Sequence, residues 1–151
     1  MDDKNNKWGR HKTQMSIRFA DIDIMGHVNN AKYLTYMESA RIKYFNAVIG
    51  DKINWTKNGF ILARVVVDFK APVYLKDEEI IVYTKCSKIG NKSFDLSYTM
   101  IKAGNQEVAV GSTTLVAYDY GENKTIQIPE EWKEKIIEFE DCKELDQQNA
   151  L

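Results

Sequence analysis

Apolar and polar residues alternate strictly from Met15 to Phe19, with Met15, Ile17 and Phe19 on one side and Ser16 and Arg18 on the other. A period of two gives one buried and one wetter face, so this stretch predicts a strand. The period then changes. From Ala31 to about Ile49 the apolar positions Tyr33, Met37, Ala40, Tyr44 and Val48 recur at spacings of three and four, with Leu34, Arg41 and Phe45 beside them. Such spacing makes one stripe of a helix, roughly 28 Å long at 1.5 Å per residue. Asn29 or Asn30 supplies its cap and Gly50 its stop. After a polar connection from Asp51 to Gly59, alternation returns four times. Ile61, Ala63, Val65, Val67 and Phe69 share a face, and Ile80, Val82, Thr84 and Cys86 share the next. Phe94, Leu96, Tyr98 and Met100 follow, then a run from Val108 to Tyr118, with turns at Gly90-Asn91 and Gly104-Asn105 between them. Runs of that kind span about 33 Å at 3.3 Å per residue and match the helix in length. One long helix with several hairpin-linked strands predicts an α+β domain, the helix lying along a curved antiparallel sheet. A second helix is predicted from Pro129, with Trp132, Ile136 and Ile137 as its apolar side. Residues 1–12 read as a flexible tail, 13–138 as a single domain and 139–151 as an acidic, solvated tail. The acidic side chains there are Glu140, Asp141, Glu144 and Asp146, just after Glu138.

Composition narrows the function classes. A chain of 151 residues and 17.5 kDa fits one domain, and 44% hydrophobic residues suffice for a core. Lys plus Arg number 21 against 22 Asp plus Glu, a formal charge of -1, which argues against a nucleic-acid binder. Two cysteines, Cys86 and Cys142, and two histidines, His11 and His27, argue against a disulfide scaffold and against a metal site. The opening residues are charged and lack the apolar core of a signal peptide, and no stretch approaches a membrane span. These features predict a cytoplasmic protein with no membrane partner. Neither a GxSxG nor a GxGxxG pattern occurs, so serine-hydrolase and dinucleotide readings have no support.

The chemistry concentrates in one short segment. Asp21, Asp23, His27, Asn29 and Asn30 fall within ten residues, between the first strand and the long helix. A helix N-terminus exposes free N–H groups and the positive end of the helix dipole, which can stabilise a carbonyl oxygen as it becomes negative. An aspartate just upstream can act as nucleophile or as general base for water. The segment therefore suits attack on an activated acyl carbonyl. The same residue types also build ordinary turns and helix caps.

The stretch IRFADIDIMGHVNNAKYLTYMESARIKYF, residues 17–45, closely resembles hotdog-fold acyl-CoA thioesterases of the 4-hydroxybenzoyl-CoA thioesterase type. His27, Val28, Asn29 and Asn30 also resemble a segment of plant-type acyl-carrier-protein thioesterases. The resemblance continues through VVVDFKAPVYLKDEEI (residues 65–80) and KIGNKSF (residues 88–94), and covers roughly residues 14–120. It implies a hotdog fold, a long central helix wrapped by a curved antiparallel sheet. It implies a homodimer joined edge to edge, or a homotetramer built as a dimer of dimers, with sites at subunit boundaries. The Val108–Tyr118 run would leave the strand edge such a dimer needs.

By that resemblance Asp23 matches the catalytic aspartate and Asn30 the position whose N–H polarises the thioester carbonyl. His27 assists by orienting water or substrate, or is a core histidine satisfied by a carboxylate. Two departures bear on it: Met25 stands where the plant-type motif has asparagine, and Asn30 where some bacterial relatives have histidine. Asp21 reads as structural, paired with backbone or Arg18. Asn29 and Tyr33 are candidate substrate contacts, and Tyr33, Tyr36 and Met37 line an acyl tunnel or simply fill the core. Lys88 and Lys92 are candidates for the coenzyme A phosphates, or solvated hairpin lysines. Cys86 reads as an inert packed thiol. The implied reaction is hydrolysis of an acyl thioester on coenzyme A or acyl carrier protein, as in fatty acid metabolism. It needs no metal and no cofactor beyond the coenzyme A of the substrate. The alternative is a non-catalytic acyl-thioester or lipid-binding domain, with hydration or dehydration of an acyl thioester ranked behind it.

Overall fold

The computed structural model of the protein describes residues 5–50, 53–142 and 145. Strands β1 (His11–Ser16), β2 (Asn58–Phe69), β3 (Glu79–Ile89), β4 (Ser93–Lys102), β5 (Gln106–Asp119) and β6 (Lys124–Thr125) join helices α1 (Asn30–Val48) and α2 (Glu130–Glu140). The strands form one antiparallel sheet in the order β1-β3-β4-β5-β2, with β6 hydrogen-bonded to β5. The α+β class, the long helix and the four long strands follow the hydrophobic periods. Among the described residues, no helix is long and apolar enough to cross a membrane.

The helix stripe is buried as the spacing predicts. Tyr33, Met37, Ala40, Tyr44 and Val48 all lie in the core, whereas Leu34 beside them is turned outward. The Asn29 side chain caps the helix, its Oδ1 accepting the Ala31 N–H at 2.9 Å. At the far end Gly50 has φ 67°, a left-handed value that glycine adopts at little cost.

Contacts within the chain group into two compact units. The first holds residues 5–43, 67–85 and 98–111, and the second the remaining described residues. In the first unit β1 pairs with β3 so that His11 faces Thr84, Thr13 faces Val82 and Met15 faces Ile80. In the second unit an aromatic cluster surrounds Phe45, which stacks on Phe60 at 4.5 Å and meets Phe94 edge-on at 5.4 Å. Trp132 of α2 joins it, 4.9 Å from Phe60.

Four expectations are corrected. The first strand starts earlier, at His11, and ends before Phe19, which is 83% exposed in a short 3-10 turn. The buried positions are therefore His11, Thr13 and Ile17 rather than Met15 and Phe19. Residues 11 and 12, expected in the tail over residues 1–12, belong to this strand, and residues 1–4 of that tail lie outside the described residues. Trp8 is tied in, its ring 5.2 Å from that of Tyr83 and its indole N–H on Glu107.

The third correction concerns β2. It is an outer strand of the sheet and stays uncovered: Ile61, Leu62, Val65, Val66 and Phe69 are between 36% and 49% exposed. The run of exposed residues from Ile61 to Val66 means that both faces of this middle part of the strand are only partly covered. By strand order the outer strands of the sheet are β1 and β2, while the Val108–Tyr118 run in β5 is flanked by β4 and β2. The fourth concerns Glu140, placed by its sequence context in a solvated tail. Helix α2 extends to it, and its carboxylate accepts the Tyr44 hydroxyl at 2.6 Å and the Cys86 N–H at 2.8 Å. Burial and the nearby Glu140 push the Cys86 thiol well up, so it is inert as expected. Glu144 and Asp146 lie outside the described residues.

Candidate active site

The segment between β1 and α1 folds as a miniature hairpin. The Asn29 N–H donates to Asp21 O at 2.8 Å, Ile22 bridges Val28, and the Asp23 N–H donates to His27 O at 2.9 Å. The tip closes with a Gly26 N–H to Asp23 O bond at 3.0 Å, and Gly26 takes φ 81°. This is a turn with aspartate first and a left-handed glycine last, which fits the bulged three-residue hairpin loop. Sequence dictates it: Asp23 Oδ1 accepts the Met25 N–H at 2.9 Å, and only glycine takes the Gly26 backbone without strain. The Val28 N–H is fastened to Val73 O at 2.8 Å, so the hairpin is held to the body of the first unit.

This register sets the candidate residues in relation to one another. Asp23 and His27 stand opposite each other across the hairpin, and opposite positions of an antiparallel pair share a face. Asn29 caps the helix, and Asn30 opens it with a backbone N–H that has no intrahelical acceptor. No acidic residue sits in the first turn of α1, so the positive end of the helix is not neutralised by its own side chains.

Asp21 has a different environment. It is fully buried; its Oδ2 accepts the Tyr36 hydroxyl at 2.7 Å and the Arg18 N–H at 3.0 Å, and its Oδ1 meets the Arg18 guanidinium at 3.1 Å. Burial alone would raise its carboxyl, but the Arg18 N–H, the Tyr36 hydroxyl and the guanidinium together hold it below the usual range. The Tyr36 hydroxyl is in turn pushed well up by burial and by that carboxylate. Tyr36 is thus committed to the scaffold.

A cleft of about 270 Å³ opens beside the helix start, lined by His27, Val28, Asn30, Tyr33, Phe69, Lys70, Ala71 and Pro72. It brings together three of the residues singled out from the sequence, His27, Asn30 and Tyr33. Asp23 adjoins it through His27 but is not among its walls. Tyr33 is 3% exposed, with its ring edge-on to Phe69 at 4.9 Å, and burial raises its hydroxyl. The His27 ring stands edge-on to Tyr74 at 5.0 Å. Tyr74 also carries the ammonium groups of Lys76 and Lys102 at 5.3 and 5.4 Å from its ring centre. Lys88 and Lys92 belong to the second unit. There Lys88 borders a smaller cleft with Ser93, Asp95 and Thr114, and Lys92 is exposed at the β3–β4 turn.

Lys70 and Tyr74 are the residues that sequence reasoning missed. Both lie in the VVVDFKAPVYLKDEEI stretch, where Pro72 marks an extended segment leaving β2. Among the described residues, no three His, Cys, Asp or Glu side chains are grouped to hold a metal ion.

Comparison with known proteins identifies the family. Residues 17–136 match the Thioesterase-like superfamily. The long-chain acyl-CoA thioesterase FadM of Escherichia coli is 26% identical over 129 residues, covering 83% of this chain and 96% of FadM. A Thermus thermophilus thioesterase solved with coenzyme A and Zn is 30% identical with a TM-score of 0.76, covering 87% of this chain and 94% of that one. The 1,4-dihydroxy-2-naphthoyl-CoA thioesterase Slr0204 of Synechocystis, at 20% identity and a TM-score of 0.71, shares the fold over 83% of this chain and 93% of its own. The chain belongs to the Thioesterase-like superfamily and is a hotdog-fold thioester hydrolase.

Proposed function

We propose that the protein hydrolyses acyl-CoA thioesters, with Asp23 as nucleophile or general base and the Asn30 N–H polarising the carbonyl. The observation that carries this reading is the hairpin register. It sets Asp23 opposite His27, in the hairpin that leads into a helix start that no acidic side chain neutralises. The substrate carbonyl oxygen would lean on the Asn30 N–H, where the helix dipole favours growing negative charge. Asp23 would then attack the carbonyl carbon to give a mixed anhydride, or take a proton from the attacking water, with His27 orienting that water. The leaving thiolate belongs to a thiol of pKa about 8.5, so it departs without a strong acid. FadM, named for acyl-CoA hydrolysis, and the coenzyme A-bound Thermus relative support the coenzyme A carrier. Two unpaired cysteines, Cys86 and Cys142, fit a reducing cytoplasm.

The working form proposed is a homodimer, because an uncovered apolar outer strand such as β2 calls for a partner strand. Light scattering at micromolar concentration should give twice the chain mass, and a monomer would contradict this. The activity is tested on acyl-CoA esters of graded chain length together with an aromatic one, comparing wild type and Asp23→Ala. A fall of about a hundredfold or more in kcat is expected on removal of a positioned base. Equal rates would take Asp23 out of the mechanism. Tight binding without turnover of any ester would turn the reading to a non-catalytic acyl-thioester-binding domain.

A further inference from the structure

Lys70 follows the last residue of β2 and lines the cleft with His27, Asn30 and Tyr33. Its backbone N–H donates to Val108 O at 2.9 Å, beside the residue that holds its side chain. The Lys70 ammonium donates to Glu107 Oε2 at 2.9 Å, and Glu107 Oε1 accepts the Trp8 indole N–H at 2.8 Å. Trp8 is fixed in turn by its ring contact with Tyr83 and by its N–H on Asn6 Oδ1 at 2.9 Å. All of these residues lie in the first unit. Trp8 stands ahead of residues 17–136, so this chain of contacts reaches outside the segment that matches the family.

A free lysine side chain samples many rotamers, and ordering it costs conformational entropy. Here a carboxylate that is itself clamped by an indole holds the ammonium in one place. Hydrogen bonds from Lys70 and Trp8 keep the Glu107 carboxyl below the usual range, so the pair stays charged at neutral pH. An ammonium has three N–H donors, and Glu107 occupies one. The side chain remains 47% exposed, so its other donors are open to a ligand, and Lys70 is one of the cleft's lining residues. Glu107 balances the ammonium's charge, so what the cleft offers an anion is the remaining ammonium donors together with a helix start that no acidic side chain neutralises.

We propose that Lys70 binds an anionic oxygen of the acyl-thioester substrate in this cleft, with Glu107 and Trp8 as the residues that position it. The proposal rests on the thioester reading of the site. The anionic oxygen can come from a carboxylate on the acyl group or from a phosphate of coenzyme A. A cleft of about 270 Å³ is small for a ligand pocket and takes only part of such a substrate, so either end can reach it.

The test uses butyryl and succinyl thioesters, each made on coenzyme A and on N-acetylcysteamine, with wild type, Lys70→Ala and Lys70→Arg. Lys70→Ala should raise KM by about tenfold or more for the anion-bearing members, the size of one charged hydrogen bond, with kcat little changed. Butyryl-N-acetylcysteamine, which carries no anion, should be unaffected, and Lys70→Arg should restore most of the loss. An effect that follows coenzyme A identifies a phosphate, and one that follows succinyl identifies a carboxylate. Trp8→Phe keeps a ring against Tyr83 but deletes the donor, and should give the same pattern at smaller size. Unchanged KM throughout, or equal loss on the neutral thioester, would overturn the proposal. Calorimetric titration of the same thioesters reads Lys70 without turnover, so a protein that binds them but hydrolyses none would sink only the hydrolase reading.

Discussion

Asp21 and Asp23 stand two residues apart at the start and the tip of one hairpin, in opposite surroundings. Asp21 is fully buried and receives bonds from a hydroxyl, a backbone N–H and a guanidinium. Asp23 is half-buried and accepts one turn bond, from the Met25 N–H beside it. A buried carboxylate must have its lone pairs satisfied or it destabilises the fold, and once satisfied it has no reason to react. A carboxylate at a loop tip can keep an oxygen for substrate. The hairpin thus uses one acid to hold its base and, in the proposed mechanism, leaves the other for chemistry.

That division can be broken one side at a time. The largest effect is expected from Asp23→Ala, which should cost about a hundredfold or more in turnover while the melting temperature stays with wild type. A clear fall in melting temperature would mean that Asp23 also serves the scaffold. Asp21→Asn should do the reverse, lowering unfolding stability by about 2–3 kcal/mol in a denaturant titration, because it removes a charge that three donors surround. Tyr36→Phe removes one of those donors and should cost about 1.5 kcal/mol in the same titration. Gly26→Ala should cost about 1 kcal/mol through backbone strain alone, since nothing lies within 4 Å of the added methyl.

Acidity sharpens the comparison. The Asp21 carboxyl sits lower in the folded chain than in the unfolded one, so its contribution is present at neutral pH and is lost as pH falls through and below about 4. Wild type should therefore lose stability more steeply over that range than Asp21→Asn, measured by thermal melts at stepped pH. Parallel profiles would show that the Asp21 network contributes little.

Several elements were legible because their signals are local. The stripe from Tyr33 to Val48 buries as its spacing requires, and Asn29 caps the helix it precedes. Asp21 was readable as structural from its neighbour Arg18, but the Tyr36 hydroxyl that completes its shell was not, since that contact spans fifteen residues. Lys70, Glu107 and Trp8 show the same gap at longer range, being far apart in the chain and joined only where strands meet. Glu140 was misread because an acidic neighbourhood suggests solvent, whereas its helix delivers it to Tyr44 and the Cys86 N–H.

By itself, the sequence determined the α+β class, the long helix, the strand runs and the Asp23-to-Asn30 segment, because period, capping and turn chemistry are written in near neighbours. Tertiary structure alone decided that β2 rather than β5 carries the uncovered edge, that His27, Asn30 and Tyr33 share a cleft with Lys70, and that Asp21 is committed to the scaffold. Alternation along a strand tells which residues share a face. It cannot tell which other strand, helix or side chain will cover that face, because strand order and burial depend on contacts between distant parts of the chain.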